Sequence, residues 1–108
     1  MIQVETKSAL DQIEAIASVE GIDGVFIGPA DLSASLGHLG NAQHPEAQAA
    51  IKDAAQRLAK VGKASGILTG VEAEAKRYIE WGYNFVAVGT DTALLRAAGD
   101  NLVKTFKG

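Results

Sequence analysis

The chain has no cysteine, two prolines and one tryptophan, and aromatic residues make up 6% of its 108 positions. The absence of cysteine excludes disulfides, thiolate metal sites and a cysteine nucleophile, and it fits a reducing cytoplasm. Two prolines against twelve glycines leave no room for a Pro-rich linker and point to tight strand–helix turns. Net charge is −3 with no basic cluster, which argues against nucleic acid or an anionic membrane as partner. No apolar run approaches the roughly 20 residues that span a bilayer. The N-terminus lacks the basic-then-apolar layout of a signal peptide. What remains, 47% hydrophobic and 21% charged, is an ordinary globular composition with enough chain for one core. The expectation is a single cytoplasmic α/β domain over residues 1–108.

Short β-branched runs alternate with longer helical stretches four times. Strands are expected over residues 2–5, 24–27, 64–69 and 84–89. The first helix starts at Ser8 or Asp11, with Leu10, Ile13, Ile16 and Ala17 on one face, and Gly21 closes it. A short helical turn over 31–36 leads into a Gly-rich loop with His38, then His44-Pro45-Glu46 opens the next helix with proline at its first position. Ile51, Ala54, Leu58 and Val61 form its apolar stripe. A helix over 72–81 turns Ala75, Tyr78 and Ile79 inward. The last, over 92–106, carries Leu95, Ala98, Leu102 and Phe106 as its stripe. Such alternation means a parallel sheet with right-handed crossovers. Two architectures remain open: a small open sheet covered on both faces, or four βα units forming half of a (β/α)8 barrel.

In either architecture the site lies at the carboxyl ends of the strands. Side-chain alternation sends Val4 and Ile2 toward the helices and Gln3 and Glu5 toward the crevice. An uncompensated charge there is costly. Asp31, just past the neighbouring strand, is a natural partner, and two carboxylates suit magnesium or manganese. The alternative has Asp31 capping a helix that starts at Leu32 and Glu5 pairing with Lys7. The Gly28-Pro29-Ala30 turn exposes backbone N–H groups that suit a carboxylate or phosphate. Gly89-Thr90-Asp91 offers a similar turn, read equally as a helix cap. His38 and His44 sit in a loop and a helix start and are not assigned to catalysis. Tyr78, Trp81 and Tyr83 read as packing at the opposite end of the sheet.

Three segments then carry a likeness: Val4-Glu5-Thr6, Gly24 through Gly28-Pro29-Ala30-Asp31-Leu32-Ser33, and Phe85-Val86-Ala87-Val88-Gly89-Thr90-Asp91. They resemble the second half of the HpcH/HpaI aldolases, class II metal-dependent pyruvate aldolases, and the likeness covers essentially the whole chain. It implies strands five to eight of a (β/α)8 barrel. It also implies Glu5 and Asp31 as ligands of Mg²⁺, Mn²⁺ or Co²⁺, with pyruvate chelated through its carboxylate and keto oxygens. Gln3 matches a polar residue beside the metal, and Gly28, Pro29 and Ala30 match the carboxylate cradle. The family's proton-handling histidine and keto-gripping arginine lie in the other barrel half, and nothing here matches them. Catalytic residues in this half are therefore unassigned.

Met1 stands directly before a strand where the family has upstream barrel, which favours a truncated C-terminal half. A half-barrel leaves two open strand edges and an uncovered apolar face, so self-association is expected. The leading reading is aldol cleavage of 4-hydroxy-2-oxo acids to pyruvate and an aldehyde. A self-assembling half-barrel that keeps only metal binding is the alternative. A free-standing phosphate-binding domain is disfavoured, because no Gly-x-Gly-x-x-Gly loop follows the first strand.

Overall fold

A computed structural model describes residues 1–108. Four strands, β1 (Ile2–Val4), β2 (Gly24–Ile27), β3 (Ala64–Leu68) and β4 (Phe85–Ala87), alternate with helices. These are α1 (Lys7–Asp11), α2 (Ile13–Ala17), α3 (Pro29–Ser35), α4 (Pro45–Lys60), α5 (Glu72–Glu80) and α6 (Asp91–Lys107). The sheet is wholly parallel, in the order β1-β2-β3-β4. Each new strand joins the same edge, so successive right-handed crossovers lay their helices on one face. A doubly wound sheet would reverse direction partway. The order therefore decides between the two architectures: this is half of a (β/α)8 barrel wall.

Register makes the two faces different. Val4, Ile27, Ile67 and Val86 align in a row that faces the helices. Val4, Ile27 and Ile67 belong with Ile13, Ile51, Leu58 and Tyr78 to one apolar cluster, and Val86 packs against it partly buried. Gln3, Phe26, Gly66 and Phe85 align on the opposite face. A Cβ on Gly66 would lie 2.8 Å from the Phe26 ring, so the glycine lets that ring cross β3. Phe26 then meets Phe85 edge-on at 6.2 Å. No helix of this chain covers that face.

At the amino-terminal end of the sheet, Tyr78 packs edge-on against Tyr83 and tilts against Trp81, as the sequence suggests. The buried Tyr83 hydroxyl donates to the Ile51 carbonyl at 2.7 Å. Burial pushes its pKa well above the usual tyrosine value.

Several element boundaries differ from expectation. The first helix starts earlier, because the Thr6 hydroxyl caps it by accepting the Ala9 N–H at 3.1 Å. It breaks at Gln12 into α1 and α2. β1 stops at Val4, leaving Glu5 just beyond the strand. Val61 and Ile79, expected inward, are exposed.

The largest departure is α6. Its expected core stripe is exposed throughout, Leu95 at 78% and Phe106 at 81%, and no residue of the helix is buried. A 3.6-residue period identifies an apolar stripe, not the surface that covers it. With α6 unpacked, the molecule measures 54 × 29 × 22 Å. No helix is long and apolar enough to cross a membrane.

Candidate metal centre at the strand ends

The β1–α1 and β2–α3 junctions bring Gln3, Glu5, Gly28 and Asp31 together. α3 starts at Pro29 with Gly28 as its N-cap, so Asp31 falls in the first turn. Asp31 is thus not the cap of a helix beginning at Leu32, and its carboxylate is left for other work. No ion pair joins Glu5 to Lys7. The neighbour of Glu5 is Asp31. The nearby Asp31 carboxyl, with a smaller contribution from desolvation, raises the Glu5 pKa above its ordinary 4.5. Two like charges in one place are what a divalent cation relieves, and hard oxygen donors suit magnesium or manganese.

Gly28 is the floor under Glu5 and Gln3. A Cβ there would lie 3.0 Å from Glu5 Oε2, 3.1 Å from Glu5 Cβ and 3.3 Å from Gln3 Nε2. The close approach of Gln3 and Glu5 to the backbone leaves a Cβ here little room unless those side chains shift by a few tenths of an ångström. A cavity of about 350 Å³ opens beside it, lined in part by Gln3, Gly28, Pro29, Ala30 and Asp31. Every residue expected at the site thus lies on this cavity or, for Glu5, against its Gly28 floor. The Gly89-Thr90-Asp91 turn is different: Thr90 Oγ1 accepts the Ala93 N–H at 3.2 Å and caps α6.

His38 and His44 do not reach the cavity lining. They stack face to face at 3.5 Å beside Glu46, and the three side chains bring possible ligand atoms within 4.8 Å of one another. His38 Nε2 lies 3.0 Å from Glu46 Oε2, which holds the Glu46 carboxyl below its usual range. His44 Nδ1 accepts the Glu46 N–H at 3.1 Å and caps α4. Imidazole lone pairs lie in the ring plane, so two parallel stacked rings do not aim at one ion. In this arrangement the trio fastens the start of α4.

Sequence reasoning missed the far wall of the cavity, which includes Ala42, Leu68 and Glu74. Glu74 accepts from the Thr69 hydroxyl at 2.5 Å and from the Gln43 side-chain amide. Gln43 Oε1 in turn accepts from Arg77 Nη2 at 2.7 Å. Only the strand-end position of Leu68 and Thr69 was visible beforehand. Ala42, Gln43 and Glu74 meet through a loop whose path the sequence pattern does not encode.

Fold and pocket define a class: half of a (β/α)8 barrel wall with a carboxylate-bearing cavity at its strand ends. Within that class, residues 1–98 match the family profile described as HpcH/HpaI aldolase/citrate lyase, and the chain belongs to that family. It is 52% identical over 107 residues to the 5-keto-4-deoxy-D-glucarate aldolase of Escherichia coli O6:H1, covering 99% of this chain and 42% of that enzyme. Identity to the Klebsiella pneumoniae enzyme of the same name is 54%, with the same coverage. Among solved structures it matches an HpcH/HpaI aldolase/citrate lyase family protein from Burkholderia cenocepacia with TM-score 0.90 and 38% identity, covering 99% of this chain and 42% of that one. An HpcH/HpaI aldolase from Desulfitobacterium hafniense gives 0.88 and 30%, covering 98% and 42%. The chain thus spans about 42% of the length of the relatives it matches.

Proposed function

We propose that this chain supplies the metal- and 2-oxo-acid-binding half of a divalent-metal-dependent aldolase. That enzyme cleaves 4-hydroxy-2-oxo acids to pyruvate and an aldehyde in the cytoplasm. The observation that carries the reading is the Glu5 carboxyl beside that of Asp31 and seated over the Gly28 floor. Glu5 and Asp31 hold the cation, Mg²⁺, Mn²⁺ or Co²⁺, with their carboxylate oxygens. Gln3 presents its amide beside them, and the Gly28-Pro29-Ala30 turn receives the pyruvate carboxylate on the Ala30 N–H at the start of α3, since Pro29 has no N–H and the Gly28 N–H donates to the Val4 carbonyl at 3.1 Å. When bound, the cation supplies Lewis-acid stabilisation of the negative charge that develops on the keto oxygen. No acid–base residue is assigned to this chain, and the group that takes the 4-hydroxyl proton belongs to the remainder of the barrel. The aldolase names and the family match support the reaction class.

The alternative is a self-assembling half-barrel that binds metal without turnover. It is favoured by both histidines being engaged at the start of α4 rather than on the cavity. Mn²⁺ titrated calorimetrically into the metal-free chain tests the site, with and without oxalate. Saturable binding that oxalate tightens is expected, and Glu5→Gln or Asp31→Asn should each weaken it about 10-fold or more. Absence of Mn²⁺ binding would sink the proposal. A coupled pyruvate assay then separates the two readings: turnover by this chain alone would contradict the alternative.

A further inference from the structure

Part of the cavity wall comes from a strap, residues 37–44, that leaves α3 and returns to start α4. Ala42 is the strap residue on the cavity. Its outer end is fastened by the stacked histidines and Glu46. Its inner end has two side-chain ties. Gln48 of α4 donates to the Ala42 carbonyl at 2.7 Å. The Gln43 amide donates to Glu74 of α5, and its oxygen accepts from Arg77 at 2.7 Å.

Glu74 is fully committed in this arrangement. One oxygen takes the Thr69 hydroxyl and the other takes Gln43. The Thr69 hydroxyl itself accepts the Val71 N–H at 3.1 Å, tying the chain between β3 and α5 into the same set of bonds. Arg77 lies over the Tyr78 and Trp81 rings, 5.6 and 5.5 Å from their centres, so its guanidinium is held by packing as well as by Gln43. A carboxylate is the side chain that accepts on both sides at this position. An amide offers one acceptor and one donor group, so it keeps both contacts only by accepting from Gln43 and donating to the Thr69 oxygen, with the Thr69 bond reversed.

We propose that Glu74 is a positioning residue for the ligand cavity: through Gln43 it holds the 37–44 strap, and with it Ala42, in the cavity wall. This rests on the proposed 2-oxo-acid reading for the identity of the ligand, though not for the strap itself. Glu74 does not bind the cation. Its loss therefore loosens the wall that confines an organic ligand while leaving the Glu5–Asp31 pair intact.

The test uses the full chain with Mn²⁺ and oxalate as probes and a conservative variant as control. Gln43→Ala, which removes no cavity-lining residue, should leave Mn²⁺ affinity unchanged, lower oxalate affinity in the presence of Mn²⁺ about 5- to 10-fold, and speed amide hydrogen exchange across residues 38–43 relative to β2 and β3. Glu74→Ala should lower oxalate affinity and speed the same exchange. Glu74→Gln, whose oxygen can accept from Gln43 while its NH2 donates to the Thr69 oxygen, should keep oxalate affinity and slow exchange near those of the unaltered chain, which separates positioning from loss of the cavity charge. Unchanged exchange and oxalate affinity in the two alanine variants, or no retention in Glu74→Gln, would overturn the proposal. If the unaltered chain binds no Mn²⁺–oxalate, the functional reading falls instead. The exchange pattern alone then decides whether Glu74 anchors the strap.

Discussion

Two carboxyls and a glycine carry most of the chemistry at the residue scale. Glu5 resists ionisation beside Asp31, so the metal-free chain carries a repulsion that a cation removes. Because the folded pKa lies above the unfolded one, this group favours folding at low pH, and that contribution is lost as pH rises through the raised value. Glu5→Gln should therefore raise the melting temperature of the metal-free chain near pH 7. The gain should fade toward pH 4, and the rise in melting temperature that Mn²⁺ gives the unaltered chain should disappear. A variant that is destabilised without metal at both pH values would show that Glu5 acts as a structural partner instead. This pairing was legible in advance because strand alternation and the strand-end rule need only local pattern. Glu74 was not, because its partners Gln43 and Thr69 converge only after the 37–44 loop has folded back across the strand ends.

Among the elements, α2 and α4 are joined by a forked ion pair. Arg57 Nε and Nη2 meet the two Glu14 oxygens at 2.5 and 2.6 Å, and Arg57 also contacts Asp53 one turn earlier at 3.4 Å. The guanidinium holds the Glu14 carboxyl down to about 2, from an ordinary 4.5. A lowered folded pKa means the contribution is complete above the unfolded value and is lost as pH falls through about 2. Glu14→Gln should lower the melting temperature near neutrality, and the difference from the unaltered chain should shrink as pH drops from 4.5 toward 2. A difference that is constant across that range would mean the fork contributes packing rather than charge. The helices themselves were readable from spacing and punctuation: Pro45 opens α4, and its buried Ile51, Ala54 and Leu58 are those of the expected stripe. Spacing did not reveal the Thr6 cap or the break at Gln12, since both depend on where β1 releases the chain. Nor could an apolar stripe on α6 declare that no surface of this chain covers it.

At the scale of the whole molecule, strand order turns four βα units into an open wall with one covered face. The uncovered face presents Phe26 and Phe85, β1 and β4 are open edges, and α6 carries an exposed apolar stripe. Alternation in the sequence announced the parallel sheet but not its curvature, because both open and closed sheets use the same βα unit. We infer that copies of this chain associate, closing a barrel-like assembly or exchanging α6. Three unsatisfied surfaces on a chain of this size exceed what a soluble monomer ordinarily leaves bare. Light scattering at tens of micromolar should give a mass of at least two chains. Leu95→Asp with Phe106→Asp places charges on the α6 stripe without touching the core, since both side chains are exposed within one chain. That double variant should shift the mass toward a single chain if α6 is exchanged, and leave it unchanged if only the sheet edges and the Phe26 face associate. A monodisperse single chain before any substitution would remove self-association altogether, and the open face would then await the rest of its own barrel.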